Sequence, residues 1–186
     1  MGKGGKVKKS QTNDLKLTEK LFKTFLDIHD LEGSNFFETP QRIAKMWEAF
    51  LNREKPILKA FPTECQQMVV LKDFATWGFC PHHLLPVKYT FKVGYIPKDK
   101  TLGLSKMARL AEYYVSKLPL QEDLPDMIVD DLQKVLQPLG CGCRVEGFHL
   151  CMVMRGVKCE TMKFVNTALR GVMLFSTAAQ MEFLNT

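Results

Sequence analysis

The sequence predicts an α+β protein in which two central helices cover one face of an antiparallel sheet, with an N-terminal helical extension. Apolar and polar residues alternate over residues 87–96, as in a half-buried strand. Two consecutive stretches, beginning near residues 105 and 123, carry apolar side chains at helical spacing. Strand-like segments lie on both sides of this helix pair, so we expect two pairs of strands in one sheet.

Length and charge indicate how the chain is divided. At 186 residues it is long enough for one domain with an extension. We expect a flexible tail over residues 1–14, a helical region over 15–65 and an α+β domain over 66–186. The tail is rich in lysine, but no aromatic residues alternate with the lysines. This composition is typical of a solvated chain end, and we expect no nucleic-acid partner.

The compartment is predicted from what the sequence contains. No segment approaches the apolar length of a membrane span, and the start has no apolar signal region. Six cysteines without a secretory signal suggest reduced thiols. We therefore expect a cytoplasmic protein with no membrane partner.

The N-terminal region is predicted to form two helices. The first is indicated by apolar residues at helical spacing, namely Leu17, Leu21, Phe25 and Ile28. Thr39-Pro40 predicts the start of the second, with Thr39 as N-cap and proline at the first helical position. Residues 52–65 are expected to form an irregular connection.

The α+β domain is expected to begin with a strand at residues 69–71, followed by the alternating strand. Ser105 is predicted to cap the first central helix. Residues 141–154 have the pattern of one long strand, and residues 164–175 could supply another.

Two short segments predict a metal site. They are Cys80-Pro-His82-His83 and His149-Leu-Cys151, and they hold three of the four histidines. His149 and Cys151 are two apart and would share a strand face. Cys80, His83 and Cys151 would be good zinc ligands and leave a fourth position open for water, as in a catalytic site. His82 and His149 would then lie beside the metal as general acids and bases.

Two other interpretations of these cysteines stay open. Buried cysteines are common, and an apolar strand with His149 and Cys151 could simply be core. A closed structural site could recruit Cys159, since Gly156 permits a turn back towards Cys151. Cys143 is excluded because eight extended residues separate it from Cys151 by roughly 26 Å.

Several cations could bind an anionic group. Ser105, Lys106 and Arg109 lie near a predicted helix start, where free N–H groups favour phosphate. Other candidates are Arg155, four residues past Cys151, and the pair Arg42 and Lys45 on one helix face. The alternative is a set of ordinary solvated cations.

Gln121-Glu122 connects the two central helices. A carboxylate can accept two parallel hydrogen bonds from adjacent N–H donors, such as those on the edge of guanine. Taken alone, Glu122 also fits an ordinary surface loop.

These motifs together make the chain resemble the GTP cyclohydrolase I family. The matching pieces run in family order from about residue 35 to Glu182-Phe183-Leu184. They are Thr39-Pro-Gln-Arg42-Ile-Ala-Lys45-Met46, Cys80-Pro-His82-His83-Leu84-Leu85-Pro86, Val93-Gly-Tyr-Ile-Pro97, Leu102-Gly-Leu-Ser105-Lys106-Met-Ala-Arg109, Gln121-Glu122 and His149-Leu-Cys151-Met-Val-Met-Arg155-Gly-Val157.

The resemblance implies the tunnelling fold, a homodecamer with sites shared between subunits, and conversion of GTP to 7,8-dihydroneopterin triphosphate with release of formate. It implies zinc bound by Cys80, His83 and Cys151, with His82 and His149 handling protons. The implied substrate-binding residues are Gln121 and Glu122 for guanine, Ser105, Lys106, Arg109 and Arg155 for the triphosphate, and Arg42 and Lys45 from a neighbouring subunit.

The sequence departs from the family pattern at two positions. Pro81 stands where the family has Glu, and Asp123 stands where it usually has Arg. Neither is a predicted ligand or proton carrier, so metal binding is still expected, but Pro81 removes a carboxylate beside the zinc and fixes the local φ. Two further functions therefore stay open: a paralogue acting on a related purine or pterin, and a weakly active assembly or regulatory subunit.

Overall fold

The computed structural model describes residues 13–186, which form two compact units, one ending at Arg53 and one beginning at Glu54. Most of the predicted tail lies outside the described residues, and the predicted domain boundaries remain predictions. Within residues 13–186, no helix combines the length and the apolar character needed to cross a lipid bilayer.

The first unit contains two helices, α1 (Asn13–Ile28) and α2 (Thr39–Leu51). The predicted cap of α2 is wrong, because Glu38 is the N-cap and Thr39 is already helical. The Thr39 hydroxyl donates to the Asn35 carbonyl of the preceding turn instead of accepting from the helix. Pro40 lies in the first turn, where its missing N–H costs no hydrogen bond.

The second unit contains the sheet and the remaining helices. Its elements in chain order are β1 (Ala60–Pro62), β2 (Val69–Phe79), β3 (Pro86–Ile96), β4 (Lys100–Leu102), α3 (Leu104–Val115), a 3₁₀ turn (Gln121–Asp123), α4 (Leu124–Leu136), β5 (Gly140–His149), α5 (Leu150–Val153), β6 (Phe164–Gly171), α6 (Val172–Phe175) and α7 (Thr177–Asn185).

The main sheet has the strand order β2-β3-β5-β6, and every pairing is antiparallel. The helices α3 and α4 come between the two strand pairs in the chain; α3 packs against β2 and α4 against β5. This confirms the predicted α+β class. β1 and β4 form a separate antiparallel ladder, so part of the connection expected to be irregular is a strand.

The core lies between the sheet and the two central helices. The alternation predicted for β3 is confirmed, because one set of its side chains is at most 1% exposed, namely Val87, Tyr89, Phe91, Val93 and Tyr95. On α4, the apolar residues Ile128, Val129, Leu132 and Leu136 are fully buried. The burial of these two faces against other elements removes a large apolar area from water.

On the opposite face of the sheet, Phe183 of α7 packs over β3 and β5. Gly94 and Gly142 are paired across β3 and β5. A Cβ atom at either position would lie 3.1 Å from the ring of Phe183. The two glycines therefore form a slot for this buried aromatic side chain, which explains their place in the middle of strands.

The thiols of Cys141 and Cys143 are buried on β5. Burial raises the pKa of Cys141 to about 11 and raises the pKa of Cys143 as well. Both side chains are therefore neutral, unreactive members of the core.

Three sequence predictions in this unit are wrong at element ends. The strand expected over 141–154 ends at His149, and Cys151 lies in the short helix α5. The last strand ends at Gly171, whose φ of 60° turns the chain into α6. Ser105 does not cap α3, because Gly103 is the N-cap and no side chain caps that helix.

Candidate active site

Three segments that are distant in sequence, together with side chains of β3 and β6, enclose a cavity of about 180 Å³ at one end of the sheet. They are the turn after β2, the 3₁₀ turn before α4, and the junction between β5 and α5. The lining residues are Cys80, Pro81, His82, His83, Tyr89, Leu120, Gln121, Glu122, His149, Cys151, Met152, Phe164 and Asn166. The cavity therefore brings together seven of the predicted site residues.

The turn after β2 presents one cysteine and two histidines. The Cys80 N–H donates to the Leu85 carbonyl at 2.9 Å, and the Cys80 carbonyl accepts from Leu84 N–H at 2.8 Å. It also accepts from His83 N–H at 3.3 Å, which places Pro81 second in a tight turn. The fixed φ of proline suits that position, so the departure at Pro81 fits the local backbone.

The possible metal donors form two overlapping groups around Cys80. The ligand atoms of Cys80, His149 and Cys151 all lie within 4.8 Å of one another. The Nδ1 atoms of His82 and His83 are each 3.7 Å from the Cys80 sulfur. The geometry thus brings both predicted cysteine ligands together, and it places His149 in the compact group while His83 stays beside Cys80.

His149 and Cys151 lie close together as predicted, but they do not share a strand face, because the two residues lie on different elements. The first turn of α5 instead brings the Cys151 sulfur to 4.0 Å from His149 Nδ1. Cys159 is outside the compact group, and its sulfur contacts the Thr161 hydroxyl at 3.6 Å.

The donor set fits zinc, which binds cysteine sulfur and histidine nitrogen. Partial burial and the adjacent Cys80 sulfur raise the pKa of Cys151, while the charge of Arg155 acts in the opposite direction. Two neighbouring sulfurs that oppose each other's ionisation are stabilised as thiolates when a divalent cation lies between them.

The His149 ring is held from several sides. Its Nε2 atom lies 2.8 Å from Gln121 Oε1, and its ring contacts Tyr89 and Phe164 edge-on. Burial lowers the pKa of His149, and the negative charge of Glu122 opposes this shift. His149 is therefore neutral at pH 7, as a metal ligand or a proton acceptor must be.

Tyr89 is a cavity residue that the sequence analysis treated only as core. Its ring is 1% exposed, and its hydroxyl has no hydrogen-bond partner among the described residues. Burial raises its pKa, and the nearby Cys80 and Glu122 add to the effect. The strand alternation predicted its burial, but no pattern showed that this residue also lines the cavity.

Comparison with known proteins decides the family. The family model for GTP cyclohydrolase I matches residues 18–186. The chain belongs to the GTP cyclohydrolase I family. It is similar to GTP cyclohydrolase 1 of Aquifex aeolicus, with 40% identity over 157 residues, 83% of this chain and 84% of that protein.

Other members of the GTP cyclohydrolase I family are similarly close. The Thermoanaerobacter pseudethanolicus protein is 36% identical over 178 residues, 90% of this chain and 95% of that one. The Wolinella succinogenes protein is 35% identical over 161 residues, 83% of this chain and 86% of that one. The solved structure of the archaeosine synthase QueF-Like in the apo form covers 56% of this chain and 93% of that chain, with a TM-score of 0.46 and 16% identity, too distant to bear on function.

Membership in the GTP cyclohydrolase I family makes the chain an enzyme. It also accounts for the sheet, because an antiparallel sheet with two helices between its strand pairs is the tunnelling fold that the resemblance implied.

The cations predicted for the triphosphate do not line the cavity. Ser105, Arg109 and Arg155 are exposed, and Lys106 is half-buried. Arg155 is close enough to influence the ionisation of Cys151. In the first unit, Lys45 is exposed and Arg42 forms an ion pair with Glu38, one helical turn earlier. The predicted roles of these cations remain predictions.

Proposed function

We propose that this member of the GTP cyclohydrolase I family converts GTP to 7,8-dihydroneopterin triphosphate and formate, using zinc held at the cavity. The observation that carries the proposal is the meeting of Cys80, His149 and Cys151 in one cavity with the Glu122 carboxylate. A soft metal-donor set beside a double hydrogen-bond acceptor suits hydrolysis at a purine ring.

Cys80 and Cys151 would hold the zinc together with His83, as the resemblance implies, or with His149, as the compact group suggests. When bound there, zinc supplies the Lewis acidity that makes water a nucleophile near neutral pH. His82 lies beside Cys80, where its imidazole can give a proton to a purine nitrogen or take one from water.

Glu122 is the proposed guanine anchor. Its carboxylate lines the cavity and can accept from both the N1–H and the 2-amino group of guanine. At about 180 Å³ the cavity is smaller than the roughly 300 Å³ at which small-molecule sites usually begin. It therefore suits the base rather than the whole nucleotide.

The triphosphate would lie outside the cavity, on the cations predicted for it. Ser105, Lys106, Arg109 and Arg155 would supply part of this binding surface. Arg42 and Lys45 would come from a neighbouring subunit of a homo-oligomer, for which the resemblance implies a decamer. We also infer a reducing cytoplasm as the compartment, because all six cysteines are unpaired.

The proposal is tested by incubating the purified chain with GTP and zinc. We expect formate in equal amount to a pterin that becomes fluorescent after oxidation. The variant Cys151→Ser should lose nearly all turnover, whereas Cys159→Ser should retain it. GTP consumption without formate would contradict the proposed reaction and favour the paralogue.

A further inference from the structure

We infer that Gln121 is a positioning residue for His149, holding the imidazole in the tautomer whose Nδ1 lone pair faces the sulfurs of Cys80 and Cys151. The catalytic consequence of this arrangement rests on the proposed function, but the hydrogen-bond chain itself does not. Gln121 thereby has a different role from the guanine contact that the resemblance implies.

The orientation of the Gln121 amide is fixed by its contacts with β6. Its Nε2 atom donates to the Phe164 carbonyl at 2.9 Å and to Asn166 Oδ1 at 3.0 Å. A backbone carbonyl can only accept a hydrogen bond, so the nitrogen end of the amide must face β6. The Oε1 atom is therefore the end that faces His149.

This orientation determines the tautomer of His149. Because Gln121 Oε1 can only accept, the His149 Nε2 atom 2.8 Å away must carry the proton. In the neutral ring the lone pair is then on Nδ1, which is the atom 4.0 Å from the Cys151 sulfur. A metal-binding or proton-accepting His149 needs its lone pair on this side of the ring, and a second partner that fixes the other nitrogen is common at such sites.

The backbone of β5 leaves room for this contact at one glycine. A Cβ atom at Gly147 would lie 1.9 Å from Gln121 Oε1 and 2.9 Å from His149 Nε2. The hydrogen bond thus lies directly over the strand, and a side chain at position 147 would displace one of its partners. This explains a glycine within a strand whose dihedral angles do not require one.

The same contacts leave the Gln121 side chain poorly placed to form hydrogen bonds with guanine. Both of its N–H donors are used by β6, its oxygen accepts from His149, and the residue is only 6% exposed. Within the pair Gln121-Glu122, the exposed Glu122 carboxylate is the group free to contact a base.

The test combines ¹⁵N NMR of the histidine rings with steady-state kinetics on the full-length chain. In wild type, His149 should show a single Nε2–H tautomer, and the signal should be identified by its loss in His149→Ala. Gln121→Met removes the acceptor at similar volume and should give a mixture of both tautomers.

Kinetics separate positioning from substrate binding. Gln121→Met should lower kcat by roughly 10–100-fold with little change in KM for GTP, as is typical for groups that orient a functional histidine. A rise in KM at constant kcat would instead restore the guanine-binding role and overturn the inference. Gln67→Met, the same change at an exposed position outside the cavity, is the matched control and should match wild type.

A second variant covers the case in which Gln121→Met does not fold. Gly147→Ala introduces only a methyl group, yet it should displace the Gln121 amide and give the same mixture of tautomers. An unchanged Nε2–H tautomer in either variant would overturn the inference. Because the NMR measurement needs no turnover, it remains decisive even if the chain does not act on GTP.

Discussion

At the residue scale, two histidines compete for the third position on the metal. His83 is the ligand implied by the resemblance, while His149 belongs to the compact group with both cysteines. We predict that alanine at Cys80, His83 or Cys151 removes most of the zinc, because a site with three protein ligands has a much lower affinity for zinc when one ligand is removed. His82→Ala and His149→Ala should retain zinc and lose turnover by about 100-fold or more.

Elemental analysis of zinc per chain is the measurement that assigns the ligand. Retention of zinc by His83→Ala together with its loss from His149→Ala would make His149 the ligand. Cys159→Ala is the control and should bind zinc as wild type does. Stoichiometric zinc in Cys151→Ala would point to Cys159 and revive the closed structural site.

Glu122 is predicted to determine base specificity. Glu122→Gln replaces a charged double acceptor with an amide that turns a donor towards one guanine N–H. The loss should cost about 2–4 kcal/mol in a desolvated site. The measurement is kcat/KM for GTP and for ITP, which lacks the 2-amino group. Wild type should prefer GTP strongly, and the variant should not.

Equal use of both nucleotides by wild type would mean that Glu122 does not read this edge of the base. Asp123→Asn is the matched control. It makes the same change of charge one residue later, at a position outside the residues that line the cavity.

Much of the cavity could be predicted from residue types and spacing alone. The segments of Cys80 and of His149 and Cys151 are predicted to meet because cysteine and histidine are rare in this chain and have few common roles, and all three residues line the cavity. The Gln121–His149 contact could not be predicted, because it depends on a 3₁₀ turn before α4 reaching the end of β5, the strand that follows that helix. The place of Tyr89 in the cavity lining could not be predicted either, because periodicity locates a side chain on a face but does not show which residues pack around it.

At the element scale, a polar triad of Lys55, Tyr114 and Asp131 links the start of the second unit to the central helices. Lys55 Nζ lies 2.6 Å from the Asp131 carboxylate on α4 and 3.2 Å from the Tyr114 hydroxyl on α3. The Tyr114 hydroxyl donates to the same carboxylate. Asp131 is 7% exposed, so these partners offset the cost of burying its charge.

The triad predicts a specific loss of stability in alkali. Burial and the hydrogen bond to Asp131 raise the pKa of Tyr114 from 10.0 to about 12, although Lys55 opposes this. The unfolded chain therefore loses the phenolic proton first, and the stabilisation is lost as pH rises from about 10 towards 12. Tyr114→Phe should flatten this part of a plot of Tm against pH, whereas Tyr113→Phe should leave it as steep as in wild type.

The packing of α7 predicts a large effect of a single truncation. Phe183 is fully buried in the slot between Gly94 and Gly142. Phe183→Ala should lower the free energy of unfolding by about 3–5 kcal/mol, because the cavity left behind cannot collapse onto two strand backbones. Denaturant titration at one protein concentration measures this loss.

Phe175→Ala is the matched control for this truncation. Phe175 is 84% exposed, so the same change should shift stability by no more than about 0.5 kcal/mol. A comparable loss in both variants would show that Phe183 is not held as the structure describes.

Long periodic elements were predictable and short ones were not. β3 and α4 have enough residues for their period to be read, so both matched the structure. The β1–β4 ladder has three residues in each strand, too few for a pattern. The segment 141–154 failed because the apolar residues after His149 suit a strand and a helical turn equally, and the tertiary context decides between them.

At the scale of the whole molecule, several surfaces suit association of subunits. Within residues 13–186, β2 and β6 are the edge strands of the main sheet, each paired with a strand on one side. On α1, the side chains of Leu17, Leu21, Phe25 and Ile28 are each at least half exposed. Apolar stripes and open edges of this kind are costly in an isolated chain, and they agree with the proposed homo-oligomer.

Shared sites predict complementation between inactive chains. Co-expression of Cys151→Ala with Lys45→Ala should give hybrid oligomers that are more active than either parent, because some sites then receive an intact part from each chain. The measurement is GTP turnover per chain, with native mass reported alongside. Cys151→Ala with Glu122→Gln is the control and should show no gain, since both changes fall in the cavity of one chain. No gain in the first pair would contradict a shared site.

The rate at which the two core thiols of β5, Cys141 and Cys143, are modified would measure how often the sheet opens. Cys65 is exposed and should react with a thiol reagent at once, whereas Cys141 and Cys143 can react only when strands separate. Because Cys143 lies opposite Val93 in the middle of the β3–β5 ladder, its modification requires the centre of the sheet to break. Labelling followed by mass analysis of the individual cysteine peptides would therefore time native-state fluctuations of this strand without any introduced probe, and bound zinc or nucleotide should slow modification of Cys141 and Cys143 but not of Cys65.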